Sequence, residues 1–197
     1  AVIVTDVVEA MGVLAAEIIT RIRAHSPTTV IGITGSAGKT TTKDLLAALL
    51  SPEGPTIAPQ GSYNGEVGVP LTVFGAELDT RFLVVEMGAD APGNIAELST
   101  IVRPDLGAVL MVGSAHAEKF GGAHLIAQTK GELAEAVPAS GHLILNADDP
   151  QVVAMAQRAA APVTWIAEGE PSPDAVVARS LQLDAEGHPT FTLCLGD

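Results

Sequence analysis

Short apolar runs alternate with amphipathic segments along most of the chain, and this alternation constrains the fold more than any other feature. The runs are rich in valine, isoleucine and leucine, which is typical of strands buried on both faces of a sheet. They are residues 30–34, 82–85, 106–112, 142–145 and 163–166, with room for a shorter strand at 56–58. Helical spacing of apolar side chains predicts intervening helices at 41–50, 95–102, 124–137 and 150–161. We therefore expect an α/β fold with a mostly parallel sheet flanked by helices.

The two ends of the chain depart from this repeating pattern. Residues 5–23 carry apolar side chains at helical spacing and precede a His-Ser-Pro break, which predicts a helix that ends there. We place a domain boundary at this break, so that 1–26 and 27–197 are separate units. Towards the other end, 175–183 and 190–195 flank an Asp-Ala-Glu-Gly turn, which predicts a C-terminal β-hairpin.

Composition and charge exclude several classes of protein. The formal net charge of −13 argues against non-specific nucleic-acid binding, which uses basic surfaces. No uninterrupted apolar run approaches the roughly 20 residues that span a bilayer, and the single cysteine, Cys194, fits a cytoplasmic setting. An anionic ligand would need a local site made of backbone N–H groups and a few lysines. The lysines are Lys39, Lys43, Lys119 and Lys130.

A glycine-containing loop between the first long strand and the next helix carries the strongest local signal. Its glycines would bring backbone N–H groups close to phosphate oxygens, and the start of the helix would present its positive end to the same anion. Lys39 could reach the terminal phosphates, and the Thr40 hydroxyl could bind magnesium. Gly35 and Gly38 are closer together than in the general Gly-x-x-x-x-Gly-Lys motif, so a glycine-rich turn with an incidental lysine is the alternative. The candidate nucleotide-binding residues of this phosphate loop are Gly35, Ser36, Ala37, Gly38, Lys39, Thr40 and Thr41.

Polar residues follow three of the predicted strands, where ligands collect in open α/β sheets. Glu86 closes one strand and is either a magnesium ligand or a cap for the next helix. His116 follows another strand and could bind a metal or phosphate, or simply be solvated. Asn146, Asp148 and Asp149 follow a third strand, and Asp149 before a proline is typical of a helix N-cap.

Two further residues are ambiguous when considered alone. Lys130 lies within a predicted helix and by itself indicates a solvated surface lysine. Asn64 precedes a glycine, a pair that favours a tight turn. Their position relative to the phosphate loop is what would give them a chemical role.

Taken in order, these segments resemble the central domain of the Mur ligases over about residues 28–195. The compact spacing of the phosphate loop is a feature of that family. The matching segments are 33–43, 63–72, 85–89 with 93–95, 112–116 with 120–121, 126–132 and 145–149.

The resemblance implies an ATP-dependent amide ligase. Such an enzyme phosphorylates a carboxylate to an acyl phosphate, which an amine then attacks to give an amide and phosphate. The Asn-Gly-Glu-Val-Gly-Val-Pro and Glu-Met-Gly-Ala runs are most similar to members that add D-alanyl-D-alanine to UDP-N-acetylmuramoyl-tripeptide in peptidoglycan synthesis. We therefore expect those two substrates as partners, a cytoplasmic monomer, and no nucleic-acid or membrane partner.

Site residues carry over from the family by position. Lys39 would contact the β- and γ-phosphates of ATP, and Thr40 with Glu86 would hold one magnesium ion. His116 would bind a second magnesium ion. Lys130 matches a lysine that carbon dioxide converts to a carbamate, an anion that would join the metal ligands. Catalytic roles therefore fall to Lys39, Glu86, His116 and Lys130.

Asn64 matches an asparagine near the γ-phosphate, but the chain departs from the family pattern beside it. Gly65 stands where a second asparagine is usual, and Met111 stands where asparagine or threonine is common. A later His-Asn segment and a C-terminal domain would lie beyond Asp197, and 1–26 is similar to the tail of an N-terminal domain. We expect an incomplete central ATP-binding domain that is inactive alone.

Two other interpretations remain open at this point. The chain could belong to another Mur ligase or to a ligase similar to folylpolyglutamate synthase. It could instead be a non-catalytic P-loop module that only holds a nucleotide. Such a module would not need His116 and Lys130 beside the phosphate loop.

Overall fold

A computed structural model of the chain describes residues 2–113, 122–169 and 175–195. Within these ranges, eight strands form one sheet in the order β2-β3-β1-β4-β5-β6-β7-β8. The strands are β1 Thr29–Thr34, β2 Thr56–Ile57, β3 Phe82–Glu86, β4 Leu106–Val109, β5 His142–Asn146, β6 Val163–Glu168, β7 Ala175–Leu183 and β8 Pro189–Leu195. The helices are α1 Val7–His25, α2 Lys39–Leu50, α3 Gly68–Phe74, α4 Asn94–Val102, α5 Ala123–Ala136 and α6 Pro150–Met155.

Neighbouring strands pair in parallel except for β7 and β8, which form an antiparallel pair. The predicted α/β fold with a C-terminal hairpin is therefore confirmed. Ser180 has a positive φ of 53° at an irregularity in the pairing of the hairpin. Among the described residues, no helix is both long enough and apolar enough to cross a membrane.

Side chains of the central strands alternate between two apolar layers. Val30 and Leu83 face the larger core, which also contains buried residues of α1, α3, α4 and α5. Ile31 and Val84 face the opposite side, where Leu46 of α2 packs against them. Because both faces of these strands are covered, their sequences are continuously apolar rather than alternating.

The structure corrects two predicted element boundaries and adds one helix. The strand predicted at 106–112 ends at Val109, and the helix predicted at 150–161 ends at Met155 and continues as a 3₁₀ turn over Ala156–Arg158. Such tightening is common at the ends of helices. Sequence patterns also missed α3, because a Gly-Val-Pro start indicates a loop. A proline in the first turn of a helix loses no hydrogen bond, and burial of Val69 and Val73 stabilises the segment.

Leu133 on α5 is the side chain whose loss should damage the fold most directly. It is fully buried, and a Cβ built at Gly32 of β1 would lie 3.1 Å from its Cδ1 atom. Leu133→Ala should lower the free energy of unfolding by about 2–5 kcal/mol, because it leaves a cavity under the central strands. Urea unfolding would measure the change.

Leu49→Ala is the matched control, because Leu49 is 72% exposed on α2. We expect it to change the free energy of unfolding by no more than about 0.5 kcal/mol. Equal losses in the two variants would show that α5 does not pack on the sheet as described.

Candidate functional site

The phosphate loop joins β1 to α2 and leaves the N-terminus of that helix open. Gly38 is the residue before the helix and has a left-handed φ of 84°, which favours glycine. Among the described residues, no side chain caps α2, and its first turn has no acidic residue. By contrast, Asp6 caps α1 and Asp149 caps α6. The N–H groups and positive end of α2 are therefore available to an anion.

Three polar groups of this loop and its flanks have defined positions. The Lys39 Nζ atom donates to the carbonyl oxygen of Gly35 at 3.0 Å, so the lysine folds back over the loop. The Thr34 hydroxyl donates to the carbonyl of Met87 at 2.9 Å and ties the end of β1 to the end of β3. The Ser36 Oγ atom is buried and has no partner among the described residues. A buried hydroxyl without a partner is costly unless a ligand satisfies it.

Glu86 connects the phosphate loop to the loop that follows β2. Its side chain is 1% exposed at the end of β3. One carboxylate oxygen accepts from the Thr40 hydroxyl at 3.0 Å, and the other accepts from the Asn64 amide at 2.9 Å. Because the Thr40 hydroxyl has a single proton, the 3.1 Å contact with Ser62 requires Ser62 to donate. A carboxylate and a hydroxyl are ligands suited to Mg²⁺.

Gly88 allows the loop containing Asn64 to lie against the end of β3. The Gly88 N–H donates to the carbonyl of Asn64 at 2.7 Å. A Cβ atom at Gly88 would lie 2.7 Å from Cγ of Asn64, closer than real Cβ contacts. Glycine at this position therefore lets the Asn64 side chain reach Glu86.

These loops surround an open cleft with a volume of about 780 Å³. Its lining combines loop backbone, two lysines and several carboxylates. The lining residues are Gly35, Ser36, Lys39, Asn64, Gly65, Glu66, Gly88, Ala89, Asp90, Asn94, Glu97, Leu98, Ile126 and Lys130. The cleft therefore offers both positive and negative groups to a polar ligand.

Lys130 is buried on α5, so the interpretation of it as a solvated helix lysine is wrong. Lys130 is only 6% exposed, and it lines the cleft. Burial, and then the positive charge of Lys39, lower the pKa of Lys130 to about 8. Its ammonium group has no hydrogen-bond acceptor among the described residues. A lysine with this pKa is partly neutral near physiological pH and can act as a nucleophile.

The part of the cleft wall at the start of α4 is held in place by Glu132. Its two carboxylate oxygens accept from the N–H groups of Gly93 at 2.7 Å and Ala96 at 3.0 Å, at the start of α4. The Asn94 side chain accepts from the N–H groups of Asp90 at 3.1 Å and Ala91 at 2.9 Å. Glu132 thus occupies the positive end of α4 and fixes this wall relative to α5.

The structure brings most of the predicted site residues to one edge of the sheet. Lys39, Glu86, Asn64 and Lys130 lie in or directly under the cleft, while His116 lies outside the described residues. Ala37, Gly38, Thr40 and Thr41 belong to the same loop and first helical turn but do not line the cleft.

Two residues considered with the site have structural roles instead. Lys43 is buried on α2 and donates to the carbonyl of Pro59 at 2.9 Å and to Asp44. Asp149 accepts from the N–H of Gln151 at 2.9 Å, which confirms it as the cap of α6.

Sequence reasoning assigned no role to four polar residues that line the cleft, namely Glu66, Asp90, Asn94 and Glu97. Asp90 follows the end of β3, so the strand-end rule could have found it. Asn94 and Glu97 are three residues apart on α4 and share a helical face. Glu66 has no comparable signal, because it lies in an irregular loop.

A model of the Mur ligase middle domain family matches residues 33–194. The chain is 51% identical over 165 residues to the UDP-N-acetylmuramoyl-tripeptide–D-alanyl-D-alanine ligase of Mycobacterium tuberculosis, covering 84% of this chain and 32% of that protein. The chain therefore spans about a third of the length of the curated relatives it matches.

Solved structures show the same fold. The MurF ligase from Thermotoga maritima in complex with ADP has a TM-score of 0.83 and 31% identity, covering 98% of this chain and 43% of that one. Escherichia coli FolC in complex with DHPP and ADP has a TM-score of 0.54 and 15% identity, covering 77% of this chain and 46% of that one, and shows the fold alone.

The chain belongs to the Mur ligase middle domain family, because that family's model covers most of its length. The resemblance predicted from the ordered segments is confirmed. The relatives are about three times as long as the region in which they match this chain, so their names describe longer proteins.

The low pKa of Lys130 can be measured directly. Labelling of Lys130 by an amine-reactive reagent should follow a titration near pH 8, because only the neutral amine reacts. Lys39→Ala should move this midpoint upwards, since it removes a like charge that disfavours the ammonium form. Mass spectrometry of the labelled peptide at a series of pH values would measure both midpoints.

Arg21→Ala is the matched control and should leave the Lys130 midpoint unchanged, because Arg21 pairs with Glu17 on α1 and lies outside the cleft lining. A Lys130 midpoint near the ordinary lysine pKa of about 10.4 would contradict the buried position described for this side chain.

Proposed function

We propose that the chain is the ATP-binding part of an amide ligase of peptidoglycan synthesis. The observation that carries this proposal is the grouping of three features at one cleft. The start of α2 lines it, and the Glu86–Thr40 pair is bonded to the lining residue Asn64. The third feature, the buried Lys130, also lines it. A module that only holds a nucleotide would use the first two features. The third places an activated amine beside them, which nucleotide binding alone does not require.

The loop fits the phosphates of a nucleotide. The first turn of α2 has no side-chain cap among the described residues and offers N–H groups. The Ser36 hydroxyl, buried at the cleft, has no partner in that part of the chain. Lys39 already contacts the loop through Gly35 and would exchange that carbonyl for a phosphate oxygen. The ADP complex of the Thermotoga maritima relative supports this assignment.

The Thr40 hydroxyl and the Glu86 carboxylate would hold magnesium, and His116 would bind a second ion. When bound, magnesium supplies the positive charge that lets two anions approach during phosphoryl transfer. Asn64 and Thr40 hold the Glu86 carboxylate in place through its two oxygens. This chain therefore presents oxygen ligands whose orientation is set in advance.

The proposed reaction has two steps. A carboxylate oxygen of the UDP-linked muramoyl tripeptide attacks the γ-phosphorus of ATP, the bond to the β-phosphate oxygen breaks, and ADP leaves. The amine of D-alanyl-D-alanine then attacks the acyl carbon, loses a proton, and expels phosphate to give the amide. Lys39 would stabilise negative charge on the phosphates, and α2 would orient them. The substrates are those in the name of the Mycobacterium tuberculosis relative.

Lys130 is the candidate for a carbamate. Its neutral Nζ atom would attack carbon dioxide, an N–C bond would form, and the nitrogen would release a proton to solvent. Burial and Lys39 favour the neutral amine that this step needs. The product is an anion, which exchanges repulsion from Lys39 for attraction and adds an oxygen ligand beside the proposed metal site.

The proposal extends to organisation and location. We infer that 27–197 form the nucleotide-binding unit, and that α1 serves as a brace for it, because Ala15 and Ile19 are buried in the same core as the sheet. We also propose a cytoplasmic monomer. The unpaired Cys194 supports a reducing environment.

Loss of the phosphate-loop lysine tests nucleotide binding. Lys39→Ala should weaken binding of Mg·ADP by about 100-fold or more, because it removes charge-assisted hydrogen bonds to the phosphates. Isothermal titration calorimetry with the chain would measure the affinity.

Arg21→Ala is the matched control, since it removes one positive charge from α1, where Arg21 pairs with Glu17 outside the cleft. We expect its affinity for Mg·ADP to equal that of the unchanged chain. Unchanged affinity in Lys39→Ala would remove the phosphate loop from the proposal.

A chimera tests the ligation itself. Residues 33–194 would replace the matching segment of the Mycobacterium tuberculosis relative, which is 51% identical to this chain. The chimera should release phosphate and form the amide only when ATP, the muramoyl tripeptide and D-alanyl-D-alanine are all present. Lys130→Arg should reduce this activity about 100-fold or more, because a guanidinium keeps the charge but forms no carbamate.

Removing carbon dioxide and then adding bicarbonate is a second test of the same chimera. The unchanged chimera should lose activity in buffers stripped of carbon dioxide and regain it when bicarbonate is added. A folded chimera that binds ADP but forms no amide would favour a nucleotide-holding module. Full activity in Lys130→Arg would exclude the carbamate.

A further inference from the structure

Residues 110–112, here called the bridge segment, lie between the phosphate loop and the end of β5. On one side, the Ser36 N–H donates to the carbonyl of Met111 at 2.9 Å, and the Leu110 N–H donates to the carbonyl of Thr34 at 3.0 Å. These bonds connect the bridge segment to the start of the phosphate loop. The position of Ser36 therefore depends on what holds the bridge segment from its other side.

Two side chains at the end of β5 hold that other side. The Asn146 amide donates to the carbonyl of Leu110 at 2.9 Å, and a carboxylate oxygen of Asp149 accepts from the Val112 N–H at 2.7 Å. Backbone pairing between β4 and β5 ends at Val109. Where the bridge segment leaves the sheet, side-chain hydrogen bonds thus replace the backbone hydrogen bonds between β4 and β5.

Both side chains are themselves fixed at a second atom. The other Asp149 oxygen accepts from the Gln151 N–H at 2.9 Å as the cap of α6. The Asn146 oxygen accepts from the Asp148 N–H at 2.9 Å. Because each side chain is held at two points, its hold on the bridge segment is rigid.

We propose that Asn146 and Asp149 are positioning residues for the phosphate loop, acting through the bridge segment rather than by touching a nucleotide. Neither residue lines the cleft. Holding the bridge segment fixes the Ser36 backbone before a ligand arrives, which removes an ordering cost from binding. This inference rests on the proposed nucleotide-binding function.

Asp148 provides a control within the same turn. One of its carboxylate oxygens accepts from the Glu168 N–H at 2.8 Å, at the end of β6. It therefore makes the same kind of bond as Asp149 but holds a different part of the sheet. Loss of Asp148 should leave the bridge segment in place.

Amide hydrogen exchange of the ligand-free chain tests the positioning without relying on nucleotide binding. The Asp149→Ser variant keeps one side-chain oxygen that can cap α6. Its shorter side chain cannot accept from both the Gln151 N–H and the Val112 N–H. We expect exchange at the Ser36 and Val112 amides to accelerate about tenfold or more, as for loss of a hydrogen bond to a charged group. Exchange at Ile31 in β1 should not change.

Asp148→Ser should accelerate exchange at Glu168 and leave Ser36 unchanged. Equal acceleration at Ser36 in both variants would indicate general loosening and overturn the inference, as would unchanged exchange at Ser36 in Asp149→Ser. If Asp149→Ser does not fold, Asn146→Ala removes the other side-chain bond to the bridge segment and gives the same comparison.

Calorimetry with Mg·ADP gives the second readout. We expect Asp149→Ser to bind about tenfold more weakly and Asp148→Ser to bind within twofold of the unchanged chain. Equal affinities for Asp149→Ser and the unchanged chain would overturn the inference. If the unchanged chain binds no Mg·ADP, the proposed function fails, while the exchange at Ser36 still reports whether Asp149 positions the loop.

Discussion

The buried carboxylate of Glu86 is the interaction on which the candidate site depends. Its two oxygens join the first turn of α2 through Thr40 and the loop after β2 through Asn64, so three separate parts of the chain meet at the end of β3. Its hydrogen-bond partners among the described residues are neutral groups. Burying a carboxylate without a cation is expensive, because neutral donors repay only part of the lost hydration. A cation bound beside Glu86 in the working protein would offset this cost in folding free energy.

The two lysines of the cleft, Lys39 and Lys130, repel each other, which disfavours the charged form of Lys130. Lys39 lowers the pKa of Lys130, so a polyanion bound between them would raise that pKa by screening the repulsion. The neutral fraction of Lys130 is therefore larger in the empty cleft than beside a bound triphosphate, although a pKa of about 8 keeps the ammonium as the main form at neutral pH. The coupling between anion binding and protonation is reciprocal. An anion that raises the pKa of Lys130 also binds more tightly when Lys130 is protonated. Conversion of Lys130 to an anion would reverse this preference and make the site dependent on metal ions.

The strands and the phosphate loop could be predicted from sequence, because continuous apolar runs and glycine spacing report local structure directly. The burial of Lys130 could not, because it depends on how α5 packs over the sheet rather than on neighbouring residues. The role of Glu132 was hidden for a related reason, since its partners on α4 lie far away in the sequence. The helix at Gly68–Phe74 was missed because its glycine and proline indicate a loop until burial of its apolar side chains is known.

In a parallel α/β sheet, the helices that follow the strands begin at the same edge, so several positive helix ends compete for the same anion. In this chain, side chains already occupy the starts of two of these helices, α4 and α6. Glu132 fills the start of α4, and Asp149 fills the start of α6 while also holding the bridge segment. The start of α2 has no such partner among the described residues, and Gly38 gives the chain its turn there. Occupation of α4 and α6 leaves the start of α2 as an uncapped positive helix end at the cleft, beside Lys39 and the Glu86–Thr40 pair.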